Sequence, residues 1–364
     1  MKEDKKNEKL ILGLVVAAIV LVIIILQFSK VSIVKLDNST KISSSPVEKR
    51  VLEKSQKFPS AKELVQPDGF INSEPFNLSD YIGKKVILVD FWTYSCINCQ
   101  RTFPYLKSWY HKYEDKGLLI VGIHTPEFNF EKDYGNVKKA TEESGIDYPV
   151  VLDNNYLTWQ AYGNQYWPRE YLIDIDGFIV HDHIGEGGYD ETELAIQEAL
   201  RERSGVLGSN ESIDFSLTKE NSSIKFAGIK TPEIYFGYKF SRGQIGNSEG
   251  WKPEAVISYS VSNTSNFEEG KFYLSGDWKN NLDNMELVSE SGEVYLKYFS
   301  RDVNIVAGSD NSVEINSYLD ESKRKTLSVQ DQKLYNVISE NDYGEHVLKL
   351  NVKKGFKIYT FTFG

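Results

Sequence analysis

The chain has 364 residues and a formal charge of −10, with 40% hydrophobic and 13% aromatic residues, enough apolar material for packed cores and too much for wholesale disorder. It holds two cysteines, Cys96 and Cys99, which excludes both a disulfide-stapled scaffold and a four-cysteine zinc site. Residues 1–60 carry +5 and residues 61–364 carry −15, so the body lacks the basic face that nucleic acid requires.

Residues 1–9 are short and lysine-rich. Leu10 to Phe28 are 19 consecutive uncharged positions dominated by Leu, Ile and Val. As a helix they span roughly 28 Å, about the thickness of a bilayer core. The run is longer than the apolar region of a cleaved signal peptide, and no small-x-small cleavage site follows it. An uncleaved single-span anchor over residues 10–28 is expected, in contact with membrane lipid. Lys2, Lys5, Lys6 and Lys9 before the span outnumber Lys30 and Lys35 after it, which favours a cytoplasmic N-terminus. The expected location is the cell membrane, single-pass, with the folded domains on the extracytoplasmic side. Residues 29–63 read as a linker, helical around Val47–Lys57.

Residues 64–205 follow an α/β pattern. Val86–Phe91 is a nearly continuous apolar run, as in a strand buried on both faces. Cys99–Tyr113 reads as an amphipathic helix, Leu118–Ile123 as a second central strand, 131–144 as a helix and Tyr148–Leu152 as a strand. Tyr171–Asp174 and Phe178–His181 flank Asp176-Gly177, a hairpin signal, and a last helix is expected over 190–203. Parallel βαβ units closed by an antiparallel hairpin give a mixed sheet flanked by helices. Residues 206–364 read as short alternating strands: Ala255–Ser262, Lys271–Leu274, Glu293–Phe299, Asp302–Ala307, Val347–Val352 and Lys357–Phe363. This is the pattern of an all-β sandwich, jelly-roll-like.

The chemistry centres on Cys96-Ile97-Asn98-Cys99, placed where a buried strand turns into a helix. Unpaired N–H groups and the positive end of the helix dipole there favour thiolate over thiol. Two cysteines at i and i+3 on a first helical turn can close a small disulfide ring, the first sulfur exposed and the second partly covered, which suits attack followed by resolution. A metal reading requires further ligands. The five histidines include no HxxxH or HExxH pair, and His181-Asp182-His183 sits on a strand, so neither a metal nor any other cofactor is expected.

Asp90-Phe91-Trp92-x3-Cys96-x2-Cys99, with Pro104 five residues after the second cysteine, resembles the thioredoxin superfamily, and its TlpA/ResA-like, membrane-tethered branch in particular. Phe91–Arg101, His124-Thr125-Pro126-Glu127-Phe128 and Tyr166-Trp167-Pro168 resemble the C-terminal extracytoplasmic part of DipZ-type proteins, over residues 64–364. The resemblance implies that Cys96 is the nucleophile and Cys99 the resolving thiol, paired as a redox disulfide. It implies that Asp90 is the buried aspartate exchanging a proton with the resolving thiol, that Glu127 is an acid near the disulfide, and that Trp167 and cis-Pro168 face the substrate. Thr231–Tyr238 and Tyr359–Gly364 resemble the second module of DipZ ectodomains, a carbohydrate-binding-like jelly roll, which raises a glycan ligand on a platform of Tyr235, Tyr238, Trp251 and Trp278. Protein disulfides are the implied substrates. Because DipZ-type proteins carry their own multi-span electron-importing domain, a separate CcdA-like membrane protein is the implied electron donor.

Three alternatives accompany this reading. A peroxiredoxin requires P-x3-T-x2-C, and Val89 stands where its proline belongs. A copper chaperone of similar fold requires wider cysteine spacing. A non-enzymatic surface protein that binds glycan or protein would use the CxxC pair as a structural clip. The uncharged Ile97-Asn98 pair leans toward a reductant or isomerase rather than a strong oxidant.

Overall fold

The computed structural model describes residues 45–209, 212–220 and 230–364. The expected span 10–28 lies outside the described residues. Among the described residues no helix is long and apolar enough to cross a membrane. The chain divides into two units between Leu52 and Glu53. The helix α1, Pro46–Ser55, runs across the boundary within the stretch expected to be helical.

The second unit, residues 53–364, is built on two sheets. The first contains β1 (Gly69–Ile71), β2 (Val86–Trp92), β3 (Leu118–His124), β4 (Val150–Leu152), β5 (Arg169–Ile173) and β6 (Ile179–Ile184), in the order β1-β4-β3-β2-β5-β6. β2, β3 and β4 are parallel, and β1, β5 and β6 are each joined to the sheet by antiparallel pairing. All seven residues of β2 and all seven of β3 are buried, because both faces of the sheet are covered. One face packs on Cys99, Phe103, Leu106 and Trp109 of α2 (Ile97–Tyr113), on Val137 of α3 (Tyr134–Glu143), and on Ile196 and Leu200 of α5 (Tyr189–Leu207). The opposite face packs on Trp159 of α4 (Leu157–Ala161) with Leu64 and Leu78. Alternation along β2 therefore decides what each residue meets: Val86, Leu88 and Trp92 point to the α2 side, and Ile87, Val89 and Phe91 to the other. Asp90 shares the α2 side.

The remaining strands are β7 (Ile234–Tyr235), β8 (Val256–Tyr259), β9 (Phe272–Asn280), β10 (Met285–Leu287), β11 (Ser291–Gly308), β12 (Val313–Leu319), β13 (Ser322–Val329), β14 (Lys333–Lys353) and β15 (Lys357–Phe363). Every pairing among them is antiparallel. β11 pairs with β9 through Glu293–Leu296 and with β15 through Val303–Gly308, while β10 joins β9 to β15. These four strands thus close a ring, and the sheet is barrel-like. The segments expected as separate strands at 293–299 and 302–307 are one strand with a register shift between Ser300 and Asp302. A bulge lets a single strand bend and change neighbours, a change that alternation alone reads as a break.

The two sheets share one apolar cluster. Tyr235, Val306 and Tyr359 pack into the core on the α2 side, where the Tyr359 ring lies 5.2 Å from Phe128 and 4.8 Å from Phe130. Tyr94, two residues before Cys96, donates its hydroxyl to the Gln332 carbonyl at 3.2 Å. The β-rich region is therefore fastened directly to the turn that carries the cysteines.

Candidate active site

β2 ends at Trp92 and α2 begins at Ile97, so Thr93–Cys96 forms a tight turn at a helix N-terminus. Cys96 is the N-cap: its Sγ accepts the backbone N–H of Cys99 at 3.3 Å. An N–H aimed at sulfur from the first helical turn stabilises negative charge on that sulfur. Cys96 is half-buried and Cys99 fully buried, and both are free thiols in this structure. Burial first, then the hydrogen bond and charge of Cys96 and the charge of Asp90, push the Cys99 thiol well above its ordinary value.

Behind Cys99, Asp90 is 1% exposed, and neither carboxyl oxygen has a hydrogen-bond partner among the described residues. Burial, and then the neighbouring Glu170 carboxyl, raise it well above the ordinary carboxylate range. Glu170 lies directly opposite Asp90 across the β2–β5 ladder and is itself pushed up to about 8 by burial. The partner of Asp90 on its other side is Gly122 of β3, where a Cβ would approach Trp92 Nε1 to 2.8 Å. Tyr148, whose buried hydroxyl also has no described partner, feels both acids and Cys99.

The turn is held in place by Glu131. Its Oε1 accepts Ser95 Oγ at 2.6 Å and Ser95 N at 3.3 Å, and its Oε2 accepts Glu127 N at 2.7 Å and Phe128 N at 2.9 Å. Its pKa rises through burial, against the pull of those donors. His124 is buried on β3 and kept neutral by that burial, its pKa falling to about 3; its Nε2 accepts the N–H of Tyr94 at 3.3 Å. A neutral ring stacked beside Tyr94 thus supports the turn without adding charge to it.

Among the other sequence-predicted residues, Trp167-Pro168 is joined by a cis peptide, and Pro168 is buried. The Trp167 ring packs on Trp159 at 4.3 Å. Glu127 bonds not to a cysteine but to Tyr235 Oη, at 2.7 Å from its Oε1, and Tyr235 Oη also lies 3.1 Å from Glu233 Oε2. Burial and the charges of Glu233 and Glu131 raise Glu127 above the ordinary range. The four-ring glycan platform does not assemble. Tyr235 is buried in the core shared by the two sheets, and Trp278 is 0% exposed with its Nε1 bonded to the Ser275 carbonyl. Tyr238 and Trp251 are half-buried, and Trp251 is bonded to the Phe236 carbonyl and set edge-on to Phe272. Tyr235 and Trp278, which fill cores, present no stacking face.

Sequence reasoning overlooked Glu131 and Glu170. Glu170 was detectable as an acid beside the apolar run Tyr171–Ile173 on the hairpin that pairs with β2. Glu131 carried no such signal, because it sits in a single 3-10 turn of polar appearance. Among the described residues no group of three or more His, Cys, Asp or Glu side chains is arranged to hold a metal ion.

Comparison with known proteins places the chain. Residues 53–197 match the family model Redoxin, and residues 231–364 match Thioredoxin like C-terminal domain. Protein DipZ of Mycobacterium tuberculosis is 36% identical over 316 residues, 84% of this chain and 43% of its own length, so the chain spans less than half of that relative. The thiol-disulfide oxidoreductase ResA of Bacillus thuringiensis is 31% identical over 141 residues, covering 39% of this chain and 77% of ResA. Among solved structures, a thiol:disulfide interchange protein from Bacteroides is 26% identical and aligns over 38% of this chain and 89% of its own, with a TM-score of 0.32. With the ResA relative matched over most of its length, the chain belongs to the thioredoxin-like thiol-disulfide oxidoreductases.

Proposed function

We propose that Cys96 and Cys99 form the redox pair of a membrane-tethered, extracytoplasmic enzyme that reduces or isomerises protein disulfides. The observation that carries this reading is the seating of Cys96 Sγ on the N–H of Cys99 at the start of α2, with Cys99 buried against Asp90. Cys96 thiolate attacks one sulfur of a substrate disulfide; the substrate S–S bond breaks, a Cys96–substrate bond forms, and the other substrate sulfur leaves as a thiolate. Cys99 then gives its proton to ionised Asp90 and attacks Cys96 Sγ. The mixed disulfide breaks, the second substrate sulfur leaves reduced, and Cys96–Cys99 closes. The substrate gains two electrons and the pair loses two. Asp90 is poised for this transfer because burial without hydrogen-bond partners, and then the Glu170 carboxyl, raise its affinity for a proton well above that of an ordinary carboxylate.

Trp167 and Pro168 are proposed to face the substrate chain. Residues 10–28 act as the anchor, 1–9 remain cytoplasmic and 29–63 serve as the linker. Residues 64–205 are the catalytic domain, and 206–364 form a jelly-roll-like companion that positions it. A CcdA-like membrane protein is the proposed electron donor that resets the disulfide. The Cys99→Ser variant tests the reading. It is expected to accumulate covalent adducts with client proteins that dithiothreitol releases, and their absence together with unimpaired client reduction would overturn it.

A further inference from the structure

Asp90 does not face solvent, so a proton taken from Cys99 needs a way out. The β2–β5–β6 register supplies a row of side chains on one face of the sheet. Asp90 on β2 lies opposite Glu170 on β5, and Glu170 lies opposite His183 on β6, the edge strand. Side chains of directly opposed residues stand on the same face of an antiparallel pair. His181, two residues along β6, shares that face. The first turn of α5 caps the row: the hydroxyl of buried Thr192 acts on the Glu170 carboxyl, pulling against its burial, and lies 3.2 Å from His181 Nε2. His181 is half-buried and so reaches the surface. Glu170 Oε2 and both Asp90 oxygens are left without partners among the described residues, an arrangement that costs stability.

We infer that Asp90, Glu170, Thr192 and His181 form a proton route from Cys99 to the surface at the β6 edge, separate from the mouth where Cys96 meets substrate. The inference rests on the assignment of Cys99 as the resolving thiol. Each transfer balances. Cys99 loses a proton to the Asp90–Glu170 pair as it attacks Cys96. Thr192 accepts a proton from Glu170 on one lone pair as it releases its own to the imidazole of His181, and protonated His181 gives its proton to solvent. A hydroxyl suits the middle position because it donates and accepts at once. Asp90 and Glu170 are positioned so that both cannot readily be ionised together, so the pair holds a proton and passes it on. The other titratable groups facing the row are Cys99 from α2, Tyr148 from the segment before β4, Tyr189 and Glu191 from α5, and His183 from β6, while Asp182 on the opposite face of β6 acts on His181 through its charge.

The test uses the full chain in detergent, reduced and mixed with an aromatic disulfide whose thiolate absorbs visibly. The first equivalent of thiolate reports attack by Cys96, and the second reports resolution by Cys99. Thr192→Val is expected to slow the second release about tenfold while leaving the first unchanged, with a larger solvent isotope effect, and Thr192→Ser is expected to restore it. His181→Ala should slow the second release and be rescued by added imidazole. Glu170→Gln should move the pH midpoint of the second release down by about one unit, because Asp90 loses its repelling neighbour. A second release with unchanged rate and pH profile in Thr192→Val and Glu170→Gln would overturn the route while leaving the Cys99 assignment intact. A second release that persists in Cys99→Ser would overturn that assignment, and the route with it.

Discussion

Two buried acids flank the CxxC turn, and the fold treats them oppositely. Glu131 meets four donors, two from Ser95 and the backbone N–H groups of Glu127 and Phe128, whereas Asp90 meets none among the described residues. Burial raises the proton affinity of both, but Glu131 commits its lone pairs to structure while Asp90 keeps its own free. A carboxyl with every oxygen bonded is a rivet, and one with no bonds is a reagent. The two should therefore part company when each is altered.

Glu131→Ala should show the largest effect on folding. Four donors lose their acceptor in a water-poor interior, and the loss is expected to be about 3–5 kcal/mol, read as a lower urea midpoint at unchanged slope. A loss below about 1 kcal/mol would break the comparison from this side. Asp90→Asn should do the reverse. It leaves the shape intact, removes an unpaired acid, and is expected to lower the resolution rate about a hundredfold at neutral pH with stability unchanged or improved. Stopped-flow release of the second thiolate and a thermal melt separate the two consequences.

The same contrast predicts how stability depends on pH. Asp90 and Glu170 have folded-state affinities raised above the ordinary values of 3.8 and 4.5, so between those values and the raised ones the native state binds more protons than the unfolded state. Stability must then fall as pH rises above about 4, for Glu170 up to about 8, with each group contributing at most about 1.4 kcal/mol per pH unit. Denaturation of the wild type and of the Asp90→Asn, Glu170→Gln double variant across this range checks the sign. The variant should show the flatter profile, and a parallel pair of curves would remove the premise that both acids are strained by burial.

The two regions also differ in how far they could be read from the sequence. β2 and β3 were evident because residues buried on both faces leave an unbroken apolar run, and Asp90 stood out as the one charge within such a run. The CxxC pair and Trp167-Pro168 were visible through motif resemblance, and the structure sets Cys96 at the helix N-cap and the tryptophan–proline peptide in cis. The β-rich region was harder. β14 runs from Lys333 to Lys353, yet only Val347–Val352 alternates clearly, since residues 340–346 edge toward solvent and lose the apolar face. Tyr235 and Trp278 looked like binding aromatics because sequence records a ring but not which side of a sheet it occupies. Glu170 could be read as an acid beside an apolar run, but its pairing with Asp90 depends on cross-strand register, and Glu131 depends on a loop closure that no local pattern encodes.

A smaller effect tests the join between the two sheets. Tyr235 Oη lies within hydrogen-bonding distance of both Glu127 and Glu233, but a phenol has one proton. Both bonds exist only while one of the acids is protonated and donates to the phenol oxygen. The raised affinities of Glu127 and Glu233, each caused first by burial, keep that proton in place above the ordinary carboxylate range. Tyr235→Phe should therefore cost about 1–2 kcal/mol at mildly acidic pH, and less once alkaline pH has ionised both acids and already broken one bond. Resolution by Cys99 should be untouched, because none of these groups bonds the CxxC turn except through the backbone N–H of Glu127 on Glu131. If Tyr235→Phe instead slowed the second thiolate release without lowering the urea midpoint, the Glu127 cluster would belong with Asp90 among the reagents rather than with Glu131 among the rivets.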